Sequence, residues 1–325
     1  MKSEKSSSML PDIFSIVGIL FSAVFCFIAL VHTLNGDLWV SAFVSLVLII
    51  VLYKLPERLM YFKSRKIRRQ INRSDEDRWQ EKALLGIYVV VAIPIFVLTT
   101  HFVFVEFANK NRIKQEGLGK WLEISKMENA YQREVSKKIN VMETNADALY
   151  STYSGGAGES RKNALDSLKS LLSLPAGTSS LSSADFDQAK KTKKTSTSSA
   201  FSLSAFKESN QYDKKLKEAD AAIKNWNFMK VGYYYKEADK LSADLLSAAK
   251  SKMPSFEYAT TSGTNVYINS PMESLKQGGI LVLIISLIVS ILVNLCVLAN
   301  YLSADRAELR LQGVNPTDAP GGIRI

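Results

Sequence analysis

The chain predicts a mainly α membrane protein: a four-helix transmembrane unit with a large, mostly helical extracytoplasmic domain inserted between helices 3 and 4, and a short membrane-proximal β-hairpin. Three observations predict it. Four apolar runs, Ile13 to Leu34, Leu38 to Leu55, Ala83 to Val105 and Ile280 to Leu302, show no polar face and are long enough for a hydrocarbon core of about 30 Å. The connector Lys54 to Lys82 carries ten Lys or Arg against five acids. Between the third and fourth runs, apolar residues recur at spacings of three and four, the signature of helices with one buried face.

The connector sets the sidedness of everything else. Short basic loops stay in the cytoplasm because positive side chains beside a span resist translocation. Residues 1–12 are then a cytoplasmic tail, 13–55 transmembrane helices 1 and 2, 56–82 the basic cytoplasmic loop and 83–105 helix 3. Residues 106–278 form a periplasmic helical domain, 279–302 helix 4 and 303–325 a second cytoplasmic tail. The net charge is +10, but it is distributed against nucleic-acid binding. Half lies in the connector; the surplus in 106–278 comes from 23 Lys and 3 Arg interspersed with 20 acids, a solvated helical surface rather than an Arg-rich phosphate-reading face.

Helix 1 follows Lys2 and Lys5, but its apolar run exceeds a signal-peptide core and no small-x-small cleavage site follows, so it is read as a retained span. Asn35-Gly36-Asp37 is a turn signal that makes helices 1 and 2 antiparallel neighbours. Trp39, Tyr53, Tyr61 and Tyr301 suit interfacial anchors. Arg65, Lys66, Arg68 and Arg69 interleave with apolar residues in a basic amphipathic helix, facing lipid, that continues helix 2 or lies on the inner leaflet. Pro94 is a candidate hinge near the middle of helix 3. Cys26 and Cys296 lie in antiparallel spans at depths about 10 Å apart by helical rise, too far for a disulfide.

Helix 3 is expected to continue until Gly117 and Gly119 interrupt it. A long helix with the stripe Ile124, Met127, Tyr131, Val135, Ile139, Met142, Ala146 and Leu149 follows, spaced near 3.5 so that a coiled-coil partner fits. Gly155, Gly156 and Gly158 end it. A helix over Arg161 to Leu174 has Ser160 as its N-cap. Residues 176–204, with 13 Ser or Thr in 29, read as a mobile linker, because they bury too little apolar surface to offset ordering. Ala205 to Met253 is helical, divided near Asn225 to Asn227. Phe256 to Thr260 and Asn265 to Asn269 are the hairpin strands.

The candidate helix–helix interface residues are Ser286, Ser290 and Asn294 on helix 4, Gly18 and Ser22 on helix 1, and Ser41 and Ser45 on helix 2. Small and amide side chains at these spacings let helix backbones approach, within this bundle or against a second protein. His32 and His101, with Asp37 and Glu106 near in sequence, are expected as solvated interfacial histidines, with a metal or proton site as the sharper alternative. The spans hold no charge in the bilayer core, which counts against a pump. No phosphate loop, G-x-S-x-G, H-E-x-x-H or C-x-x-C occurs, so no catalytic residue, cofactor or metal is assigned.

The order of spans resembles that of the tetraspanins, with one tiny and one large outer loop and both ends inside. This large loop lacks that family's Cys-Cys-Gly motif, its cysteines and any N-x-S/T acceptor, which favours a bacterial inner membrane. The expected function is non-enzymatic: binding a partner through the helical domain in an envelope assembly for secretion, transfer or defence. A transmembrane sensor, or a channel or transporter subunit, is the alternative. The expected partners are membrane lipids and other membrane or periplasmic proteins, a second copy of the chain included.

Overall fold

A computed structural model describes residues 9–68, 75–259 and 268–303. Four helices in it are long and apolar enough to cross a membrane: Leu10–Thr33, Leu38–Lys63, Trp79–Ala108 and Gly279–Val297. The chain is a multi-pass membrane protein by that measure, with a helical segment between spans 3 and 4. The described residues fall into two units, one drawn from Met1–Glu116, Ala222–Tyr235 and Asn265–Ile325, the other from Gly117–Ala221 and Lys236–Thr264.

In the first unit, α1 (Met9–Thr33) packs on α2 (Leu38–Arg68), α3 (Asp75–Phe102) and α11 (Gly279–Val297), so the first span is the centre of the bundle. Asn35 and Gly36, both at positive φ, turn the chain between α1 and α2. Asp37 then caps α2, its Oδ1 accepting from the Val40 N–H at 3.1 Å, which takes it away from the histidines it neighbours in sequence. α2 continues through Pro56 into the basic connector. The expected lipid-facing Arg65, Lys66, Arg68 and Arg69 lie outside the residues whose side chains are described. α3 runs unbroken through Pro94.

Regular α geometry ends at a π-helical turn, Val103–Ala108, where the Asn109 N–H bonds the Phe104 carbonyl at 2.9 Å. α4 (Lys110–Gly155) follows. The interruption expected at Gly117 and Gly119 therefore falls earlier, at Asn109. A glycine inside a helix costs about 1 kcal/mol relative to alanine, and the buried stripe of a 46-residue helix outweighs two of them. α10 (Pro271–Gln277) starts at the Ser270 N-cap and packs on α3; α12 (Ala299–Ser303) follows α11. At that end Tyr301 donates to Glu81 of α3 at 2.7 Å and Asn300 to Asp12 of α1 at 2.7 Å.

The second unit contains the rest of α4, α5 (Gly158–Leu172), α6 (Ser183–Ala200) and α7 (Ser204–Ser209), with parts of α8 (Tyr212–Lys224) and α9 (Phe228–Lys252). The stripe expected to serve a coiled-coil partner is instead buried inside this unit: Ile124, Met127, Tyr131, Val135, Ile139 and Ala146 are all buried. Tyr131 donates to the Phe201 carbonyl at 2.8 Å and meets the Phe256 ring edge-on at 5.2 Å. An apolar stripe specifies burial, not by whom, and helices of the same chain are the nearest cover. α5 starts earlier than expected, its N-cap being Ala157 rather than Ser160. It ends at Ser173, in the left-handed region, two residues before Pro175.

The mobile linker expected over 176–204 instead carries α6, a correction with three physical reasons. Ser182 caps it, accepting from the Asp185 N–H. Phe186 is buried and stacks on Tyr150 with ring centroids 4.1 Å apart. Lys190 and Lys194 reach Asp147 and Glu143 of α4 at 2.7 and 3.0 Å, matching one turn of lysines to one turn of acids. Of the expected hairpin, residues 260–267 lie outside the described residues. Residues 256–259 and 268–269 form no strand, because Phe256 and Tyr258 turn onto α4, Tyr258 donating to Glu123 at 2.8 Å.

Candidate functional site

The polar side chains with the most constrained surroundings lie in the first unit, at the end of the bundle where α1 stops. His32 closes α1 and His101 closes α3; neither has any exposed surface. The expectation of solvated histidines is thereby overturned, because α10, the π-helical turn and the α8–α9 turn cover what would otherwise be water-facing span ends. Glu106 sits on the π-helical turn. The extra residue of a π turn re-aims the side chains that follow it, and here Val103, Phe104 and Val105 are buried while the carboxylate beside them faces inward.

Glu106 Oε1 lies 2.9 Å from His32 Nε2, and its Oε2 accepts from the Trp226 indole N–H at 2.7 Å. Lys110, one turn along, stands 3.7 Å from Oε2 and lies over the Trp226 ring. One carboxylate thus joins α1, the start of α4 and the α8–α9 turn. Trp226 is held at φ 51, a conformation bulky residues rarely adopt and one that costs of order 1–3 kcal/mol. In that conformation the indole N–H meets the carboxylate.

Next to this set, His101 Nδ1 lies 2.7 Å from Ser274 Oγ of α10, with both side chains fully buried. The two imidazoles meet edge to face at 6.5 Å. His32 Nδ1 is buried without a hydrogen-bond partner. Hydrogen bonding divides the cluster into two pairs, His32 with Glu106 and His101 with Ser274. Ser274 and His101 have the separation of a nucleophile and its base, and both side chains are buried. Among the described residues no three His, Cys, Asp or Glu converge as a metal-binding set.

The small-residue positions are all interior. Ser286, Ser290, Ser22, Ser41 and Ser45 are buried, and Asn294 is bonded within the bundle, accepting from Tyr88 Oη at 2.7 Å and donating to the Ser290 carbonyl at 2.7 Å. A Cβ on Gly18 would stand 2.7 Å from the Cys296 Cβ, so α1 and α11 touch there backbone to backbone. Ser41 donates to the Asp37 carbonyl at 2.6 Å. Cys26 and Cys296 are free.

In the second unit, a shallow groove of 820 Å³ runs along one exposed face of α4, lined by residues including Asn129, Gln132, Arg133, Ser136, Lys137 and Asn140. That lining contains amides, hydroxyls and two bases but no acid. The acids Glu128, Glu143 and Asp147 are occupied elsewhere, by Lys207, Lys194 and Lys190.

Sequence reasoning missed Trp226 and Ser274. The flanking Asn225 and Asn227 marked a turn, but nothing in the one-letter code aims the indole at a carboxylate 120 positions earlier. No protein-family model matches the chain, and comparison with curated proteins and with solved structures returns no match.

Proposed function

We propose that this chain is a non-enzymatic membrane anchor of a bacterial envelope assembly, set in the inner membrane with both termini in the cytoplasm, whose helical domain binds a partner protein in the periplasm. The observation that carries the reading is the acid-free, amide-rich lining of the exposed groove along α4. Arg133 and Lys137 on it form no ion pair with another described residue. Amides can pair with peptide or polar side chains as donor and acceptor, and the two bases favour a partner with carboxylates at matching helical spacing. The interior fate of the span serines and of Asn294 supports docking through the extramembrane domain rather than through the spans.

The test is a photo-crosslinking residue at Ser136, with Ser198 as control, in cells carrying the full-length chain. A discrete adduct at Ser136 that disappears in the Arg133→Glu, Lys137→Glu double variant is expected. Equal crosslinking at both positions, or an adduct indifferent to charge reversal, overturns the reading.

A second reading, a transmembrane sensor, is favoured by the strained Trp226 and the shared Glu106. A buried network with few alternative arrangements is the kind of element a bound ligand biases. A channel or transporter subunit draws no support from any of these contacts.

A further inference from the structure

From the seating of α9 on the span ends, we infer that its first two turns are a non-spanning membrane anchor. Met229 and Tyr233 enter the lipid headgroup region, and Lys230 reaches lipid phosphate. The inference is independent of the partner reading and of which side of the membrane this end faces.

The first observation is the closeness of approach. α9 is pressed against the end of α1 and the α1–α2 turn through two glycines. A Cβ at Gly36 would stand 2.6 Å from the Met229 carbonyl oxygen and 3.5 Å from the Tyr233 Cβ; one at Gly232 would stand 3.1 Å from the His32 carbonyl oxygen. Span 1 ends at Thr33 and span 2 begins at Leu38, so the turn between them marks the edge of the hydrocarbon. The first turns of α9 lie against that edge although they follow span 3 by some 120 residues of sequence.

The second observation is what this element leaves uncovered. Val231, Tyr234 and Tyr235 are buried, whereas Met229 and Tyr233, one turn apart on the same face, are exposed, as is Lys230 between them. A helix whose inner face is already packed has no folding reason to present methionine and tyrosine outward. At the same end of the bundle, Trp39 at the start of α2 is 88% exposed, Phe107 on the π-helical turn 73% and Met272 on α10 60%. These side chains continue, at the same end of the bundle, the apolar surface that the spans present to lipid. Aromatic and thioether groups with a polar or charged neighbour are what the interfacial zone takes up. Lys230 forms no ion pair with another described residue, so its ammonium is available to an anionic headgroup. A protein covering the same patch is the competing occupant; continuity with the lipid-facing spans argues for lipid.

The experiment uses the full chain in nanodiscs of phosphatidylethanolamine and phosphatidylglycerol, in a Cys26→Ala, Cys296→Ala background. Single cysteines replace Met229, Tyr233, Trp39 and, as a control in the second unit, exposed Val141. Each carries an environment-sensitive fluorophore, and lipids with a nitroxide near the headgroup are titrated in. The labels at 229 and 233 should quench severalfold more than that at 141 and to about the extent of that at 39. Quenching at 229 and 233 no greater than at 141 overturns the inference, as does protection of those labels only when a second protein is added. A second readout avoids cysteine variants altogether. The melting temperature of the native chain should rise as phosphatidylglycerol replaces phosphatidylcholine, and Lys230→Glu should remove most of that rise; an unchanged rise overturns the phosphate contact.

Discussion

Glu106 shows how much of this molecule rests on single side chains. It accepts from Trp226 and meets His32 where His32 is fully buried and Trp226 is 9% exposed, and a buried donor stripped of its acceptor costs about 1–3 kcal/mol. Glu106→Ala strands the indole donor and removes the His32 contact, and should lower the melting temperature of the purified protein in detergent by several degrees, more than Trp226→Phe, which removes one donor and keeps the ring. The reverse ordering would mean that the indole packs rather than bonds. Gly36 and Gly119 make an opposed pair. At Gly36, φ is +84 and an added Cβ meets the Met229 carbonyl oxygen at 2.6 Å, so Gly36→Ala should destabilise by about 1–3 kcal/mol. At Gly119 nothing lies within 4 Å, so Gly119→Ala should stabilise α4 by about 0.5–1 kcal/mol. Thermal melts of the two variants should move in opposite directions. Of this, the sequence showed the neighbourhood of His32, His101 and Glu106 and the turn at Asn35-Gly36-Asp37, but not the contacts made there. Backbone sign and long-range aim are not written in composition or period.

Elements were legible where hydrophobic period alone decides them. The four spans and the halves of the α8–α9 region fall where their apolar spacing places them, because burial of one face or of all faces dominates their energy. α6 was not, because its stability comes from a few long-range contacts: one stacked phenylalanine and two lysines facing α4. Its Ser and Thr residues have middling helix propensity, so local signal ran the other way. Phe186→Ala removes the one large anchor, a change that typically costs about 3–5 kcal/mol. Amide hydrogen exchange across Ser183–Ala200 should then lose its protection while α9 keeps its own; retained protection would show that the lysine–carboxylate pairs suffice. The same helical unit has a defined response to alkali. The hydrogen bond from the Lys207 ammonium to Glu128 holds its pKa above the usual lysine range, and burial, with Glu123, pushes the Tyr258 hydroxyl up to about 12. Both values are raised on folding, so both contributions are complete below the unfolded values, near 10, and drain away as pH climbs through the folded ones. Helicity of the unit should be indifferent to pH around neutrality and should melt progressively more easily above about pH 10. Lys207→Met should shallow that decline, and an equally steep decline in the variant would assign it to other groups.

For the whole molecule, one part of the proposal orders the rest: that the connector Lys54 to Lys82 faces the cytoplasm. Ten bases and five acids within two span lengths of sequence resist translocation, whereas a long segment such as 106–278 crosses with little regard for its own charge. On that proposal the four spans alternate, and α4, α5 and α6 emerge on the far side with the amide face. This is checkable without disturbing the fold, since Cys26 and Cys296 both lie within spans and can be replaced by alanine. In spheroplasts, a membrane-impermeant maleimide should label Ser198→Cys on α6 at once and Ser3→Cys only after detergent is added. The opposite pattern would turn the chain over. The α4 face would then meet cytosolic proteins, and the basic connector would stand outside, where its ten positive charges would need another explanation. Contacts at the end of α1 would survive that reversal, because Glu106, Trp226 and the two glycines under α9 depend on where the spans stop and not on which compartment they stop in.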